Sequence, residues 1–158
     1  MNRPLKVCFV APFGYGALTG DFSRCHVGGA EVQQSIIAPS LADRGLDVSM
    51  ISMDFGQIEG VRSHGVRLLK MHAPDAGLPV LRFVHPRLTS LWSALARADA
   101  DVYYQRAAGA LTGFVGAFTR RHGRRMIYAG ASDSDFDPAL PLIGLSRDRA
   151  LYRFGLRR

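Results

Sequence analysis

Cysteine, lysine and glutamate are all scarce in this chain, and each scarcity narrows what it can be. Of two cysteines in 158 residues, Cys8 falls in an apolar run and Cys25 in a loop. Neither shows a CxxC or Cys/His spacing, so a disulfide framework and a structural metal site are both unsupported. Glutamate occurs only at Glu31 and Glu59, and no carboxylate cluster stands out beyond the loop Asp133, Ser134, Asp135. A nucleophile elbow and a Ser/His/Asp grouping are missing as well. No apolar run reaches the roughly 18 residues that span a bilayer. Arg, Asp, Gly or Pro breaks each candidate, including the stretch from Leu78 to Leu95. Met1 to Lys6 leads directly into a strand-like run and lacks the apolar segment of a secretory signal. The expected compartment is the cytoplasm, where two unpaired thiols persist.

What is present is an aliphatic-rich chain, 47% hydrophobic, of a length that suits one domain with an ordinary core. Its formal net charge of +7 is carried almost wholly by arginine, since lysine appears only at Lys6 and Lys70. Such a balance attracts phosphate-bearing partners, whether nucleic acid, anionic lipid or nucleotide, and describes a solvated arginine-rich surface equally well. Basic and aromatic residues interleave only in Arg147, Arg149, Tyr152, Arg153, Phe154, Arg157 and Arg158. There Arg149, Arg153 and Arg157 recur at i, i+4 spacing, the pattern of a helix's wet face, and no nucleic-acid partner is expected.

Hydrophobic periodicity predicts an alternating α/β order. Leu5 to Ala11 reads as a strand buried on both faces, followed by a long loop holding Gly14, Gly16 and Gly20. A helix opens at Gly28 and Gly29 and runs to about Arg44, with Gly45 as its stop and Pro39 expected to kink or split it. Strands follow at Asp47 to Met53 and Val66 to Met71, with a weakly strand-like loop between them. Pro86 is expected to start an amphipathic helix to Ala98, its stripe Leu88, Leu91, Trp92 and Leu95 forming core. A strand at Asp101 to Gln105, a helix from Gly109 to about Arg121, a strand at Arg125 to Ala129 and a final helix from Arg147 complete the order. The fold class is a Rossmann-like doubly wound parallel sheet. The last helix should return to a further strand, so the domain is expected to be incomplete at its C-terminal end, with an unpaired sheet edge.

In such a sheet, ligands bind beyond the carboxyl ends of the strands. The run Gly28, Gly29, Ala30, Glu31 puts two glycines at a helix N-terminus, where N–H groups and the helix dipole favour a diphosphate. A plain glycine turn, with Glu31 complementing the dipole, produces the same run. Gly14, Gly16 and Gly20 with Asp54 suggest a dinucleotide fingerprint, but the third glycine is one position late and the helix is expected well downstream. Asp133 and Asp135 suit either a metal or a polar capping loop, and the lone His26 beside the glycine run reads as a loop residue.

The strand Val7 to Ala11, the Gly28-Gly29-Ala30-Glu31 helix start and the pattern Leu41, Ala42, Arg44, Gly45, Val48 together resemble the N-terminal domain of family 4 glycosyltransferases. Asp101 to Arg106 and Ala131-Ser132-Asp133-Ser134-Asp135 extend the resemblance, over about residues 5 to 140, to bacterial members that assemble surface polysaccharides and glycoconjugates.

The resemblance implies a GT-B enzyme of two Rossmann-like domains, of which this is the acceptor-side one. Donor phosphates would approach Gly28 and Gly29, with Glu31 beside them. Gln105, Arg106 and Asp133 would face the cleft, Gln105 and Arg106 standing where many members carry a histidine. Arg106 then either pairs with a phosphate or carboxylate or satisfies a helix end or the acidic loop. The family's Glu-x7-Glu segment belongs to a second, donor-binding domain that two glutamates at positions 31 and 59 cannot supply. The implied activity is retaining, metal-independent sugar transfer from a nucleotide-sugar co-substrate, without a further cofactor and not by this chain alone. Its acceptor would be a polysaccharide, a lipid-linked glycan or a small molecule, with peripheral contact at the inner membrane face. The alternative is a non-catalytic acceptor- or membrane-binding subunit that works beside a separate donor-binding chain.

Overall fold

A computed structural model of the chain describes residues 3–23, 27–78, 83–137 and 139–157. The first strand, β1 (Lys6–Val10), lies centrally, and Cys8, Phe9 and Val10 are almost wholly excluded from solvent. It pairs in parallel with β2 (Asp47–Ser52) on one side and β5 (Val102–Arg106) on the other. Beyond β2 lies β4 (Val66–Lys70), edged by the two-residue antiparallel β3 (Arg62–Ser63), and beyond β5 lies β6 (Arg125–Ala129). The order β3-β4-β2-β1-β5-β6 is thus a five-stranded parallel sheet with one short antiparallel strip. The winding reverses between β1 and β5, as in Rossmann-like sheets.

Alternation along the strands divides the core into two layers. Phe9, Val48, Met50, Val66 and Leu68 face α1 (Gly14–Thr19) and α2 (Gly29–Asp43), through Leu18 and Ala38. Cys8, Val10, Ile51, Leu69 and Tyr103 face α3 (Thr89–Ala98) and α4 (Ala110–Arg121), through Leu91, Leu95, Val115 and Phe118. Burial of a leucine such as Leu95 stabilises the fold by roughly 1.5–3 kcal/mol. The last helix, α5 (Ser146–Leu156), lies against α4. There a Cβ built on Gly116 would meet the carbonyl oxygen of Gly155 at 2.6 Å, so the two backbones touch.

Several sequence expectations need correction. The segment after β1 is not a long loop: the chain enters α1 at Gly14 after three connecting residues, closed by an Ala11 carbonyl to Gly14 N–H bond of 2.8 Å. The strand-to-helix distance therefore does not argue against a dinucleotide motif as expected. What these glycines do is structural, since a Cβ on Gly14 would lie 2.7 Å from Met50 Sδ. Gly20 ends the helix in the left-handed region at φ 79°. Helix α2 runs unsplit through Pro39, because Ile37, Ala38, Leu41 and Ala42 hold it against the sheet on both sides of the proline. Pro86 opens the wound segment as expected: His85 is extended (φ −129°, ψ 124°), and from Pro86 the chain is helical through Leu88 into the regular α3 helix at Thr89. No helix among the described residues is long and apolar enough to cross a membrane. Cys25 and His26 lie outside the described residues, as does Arg158.

Candidate functional site

The carboxyl ends of the parallel strands form one rim, with α2 on one side of it and α3 and α4 on the other. Gly28, extended at φ −100° and ψ 175°, is the N-cap of α2, and its N–H donates to Glu31 Oε2 at 3.2 Å. Glu31 is therefore the cap of this helix, completing its first turn as an acidic side chain at N3 should. That cap leaves little room for a side chain at 28, whereas glycine at 29 has no such internal reason. Both are exposed and neither takes a positive φ. Among the described residues a Cβ on Gly29 would meet nothing within 4 Å, and one on Gly28 only Glu31 Oε2.

Arg106, at the end of β5, reaches across the rim and donates to Gln33 Oε1 on α2. Gln33 follows Gly29 by four residues, so it shares that glycine's helix face and Arg106 stands one turn along from the glycine pair. Among the described residues neither the helix end nor the acidic loop is its partner, and its Nε is buried without a hydrogen bond. Gln105 does not face the cleft. It is 2% exposed, its Nε2 donating to the carbonyls of Arg106 (2.9 Å) and Ala107 (2.6 Å). Ala107 adopts a left-handed φ of 72°, so Gln105 fixes an uncommon turn.

The acidic loop is an anchor. Asp135 is buried and accepts from the Ala131 N–H at 2.6 Å and from Tyr128 OH at 3.3 Å. Tyr152 on α5 donates to the Asp135 carbonyl at 2.6 Å. Burial, and then the Tyr152 hydroxyl, push the Tyr128 phenol well above its ordinary value. Asp133 is exposed, and no hydrogen bond or ion pair joins it to Gln105 or Arg106. Among the described residues no three His, Cys, Asp or Glu side chains converge as metal ligands.

Across the rim from Arg106 lies a cleft of about 450 Å³ that the sequence reading missed. Its walls are Met53, Met71, Phe83, Leu91, Leu111 and Phe114. Met53 and Met71 each follow the last residue of a parallel strand by one position, and that placement was the available signal. His72 is nearly buried in the wall, with Nδ1 at 3.0 Å from the Ala73 carbonyl. A carbonyl only accepts, so Nδ1 carries the proton and the lone pair of the neutral ring sits on Nε2. Arg147 lies 3.6 Å over the Phe83 ring and pairs with Asp148 at 2.9 Å. Arg87 also lines the cleft, its Nε buried without a partner among the described residues.

The strand order, the helices on both faces and the cleft at the carboxyl rim define a Rossmann-like α/β domain. No protein-family model matches the chain, and no curated protein is similar to it at a significant level.

Proposed function

We propose that the chain is the acceptor-side domain of a retaining, nucleotide-sugar-dependent GT-B glycosyltransferase, acting with a second, donor-binding domain. The observation that carries the reading is the glycine pair at the start of α2. Among the described residues neither packing nor backbone conformation calls for glycine at 29, and at 28 only the capping Glu31 carboxylate, 2.9 Å from a built Cβ, does. A side chain at either position would obstruct a ligand approaching the first N–H groups of a 15-residue helix. Arg106, one turn along, supplies a guanidinium suited to the same diphosphate. The apolar cleft across the rim then takes the acceptor. In this arrangement the chain's share of catalysis is to position two substrates and to stabilise the charge on the departing nucleotide diphosphate. The resemblance of residues 5 to 140 to family 4 glycosyltransferases points the same way.

Titration of isotopically labelled chain with UDP- and GDP-sugars tests this reading by NMR. One of the two series should shift the amides of Gly28, Gly29 and Ala30, with a Kd of about 1 mM, as expected of half a site. Arg106→Gln should weaken that binding several-fold. Micromolar donor binding by this chain alone, or shifts that bypass the start of α2, would overturn the assignment.

A further inference from the structure

We infer that the rim cleft takes an amphiphile: an apolar body carrying one acidic group, phosphate or carboxylate, with Arg87 as the anion's partner. The inference rests on the reading of the cleft as the acceptor site and gives that acceptor a chemical class. Three observations carry it. The cleft walls are mainly apolar, with methionine, leucine and phenylalanine side chains beside a few charged ones, and its volume of about 450 Å³ lies in the range of small-molecule sites. A purely polar sugar would lose the hydration of its hydroxyls against walls that offer them few hydrogen bonds.

The charges at the cleft are unequal. Arg147 is offset by Asp148 at 2.9 Å and by the face of Phe83. The Arg87 guanidinium has no carboxylate and no hydrogen bond among the described residues, and its Nε is closed off from water. An anionic oxygen in the cleft would be met by the terminal N–H groups of this lining residue, since Nε, which no water reaches, is equally closed to a ligand. His72 adds a third contact. With Nδ1–H committed to the Ala73 carbonyl, Nε2 is left to accept from a hydroxyl on the same ligand. The site thus reads acid, hydroxyl and apolar body, which is the chemistry of a phosphorylated or carboxylated lipid-like acceptor. Such a molecule reaches the cleft either from an anionic bilayer or as a soluble monomer.

Calorimetric titration with decyl phosphate, 1-decanol and inorganic phosphate, each below aggregation concentrations, tests the inference on the full chain. Decyl phosphate should bind roughly tenfold tighter than decanol, and inorganic phosphate should bind far more weakly than decyl phosphate. Arg87→Gln should remove the preference and leave decanol affinity within about twofold, which also reports that the cleft is still folded. Equal affinities in the unaltered chain, or a preference that survives Arg87→Gln, would overturn the proposal. Sedimentation with anionic and with neutral vesicles separates the sources. Arg87-dependent retention on anionic vesicles assigns a bilayer lipid, and monomer binding without retention assigns a soluble amphiphile. The nucleotide-sugar shifts at Gly28 and Gly29 should be indifferent to Arg87→Gln, so failure of the donor reading and failure of this one are read from different signals.

Discussion

The hydroxyl of Thr112 donates to Gln105 Oε1 at 2.9 Å, with both side chains sealed from solvent. With its oxygen engaged from α4, the amide must turn its nitrogen to the carbonyls of Arg106 and Ala107. One buried side chain thereby fixes the turn that carries Arg106 toward α2. Thr112→Val keeps the shape and removes the donor, leaving a buried amide oxygen unpaired. Urea denaturation should show a loss of roughly 1–3 kcal/mol, and Thr112→Ser should recover most of it. An unchanged midpoint in the valine variant would mean that the network does not hold the turn.

Helix α5 is held where glycines let two backbones meet. Cβ atoms built on Gly113 and Gly116 would lie 2.5 Å from the Leu151 carbonyl oxygen and 2.6 Å from that of Gly155. Because the atoms met are backbone, neither contact is relieved by a rotamer change. Gly116→Ala should therefore push α5 away from α4, at a cost of roughly 1–3 kcal/mol. Hydrogen exchange should accelerate in residues 146–156 and remain unchanged in β1 and β2. Uniform acceleration across the sheet would instead mean that α5 unfolds only with the whole domain.

The strands were legible because burial on both faces writes a continuous apolar run, as in Val7 to Val10, and because parallel strands alternate with amphipathic segments such as Leu91 to Leu95. Gly14 to Thr19 escaped as a helix because two glycines among its six residues weaken helix propensity. What forms it is tertiary, the fit of Gly14 beside Met50. The α4–α5 contact escaped for a similar reason, since Gly113 and Gly116 announce close approach only once their partner is known. At the site, the helix start at Gly28 and Gly29 was legible as a local motif. The link from Arg106 to Gln33 spans 73 positions and the cleft collects residues from Pro12 to Asp148, so both depend on strand order rather than on spacing.

Cys8 sits in the layer between the sheet and α3 with no exposed surface, and burial pushes its thiol up to about 12. At pH 8 it is therefore almost entirely protonated and shielded, on both counts a poor nucleophile. Alkylation by iodoacetamide, followed by peptide mass mapping, should leave Cys8 unmodified in the folded chain and label it fully in denaturant. Labelling under native conditions at a rate independent of added urea would show local opening of β1.

The amino end of the sheet is tied by a cluster of charges that makes stability depend on acid pH. Asp101 accepts the Lys6 backbone N–H at 3.0 Å and pairs with Arg3 at 2.7 Å and Arg124 at 3.3 Å. Asp99 pairs with the Lys6 ammonium at 2.9 Å and with Arg124 at 2.8 Å. These contacts, led by the Lys6 N–H for Asp101 and the Lys6 side chain for Asp99, hold both carboxyls below the ordinary aspartate value. A carboxyl depressed on folding binds its proton more readily in the unfolded chain. Its contribution is thus complete above the unfolded value of about 4 and is lost as pH falls through the lower folded value. Urea midpoints measured from pH 7 to pH 3 should stay level to about pH 5 and then decline. Asp101→Asn should flatten the decline, and 1 M salt should shrink it, because the partners are partly solvated. A decline of equal slope in Asp101→Asn would place the acid sensitivity elsewhere, with Asp54 beside Lys70 the next carboxylate to test.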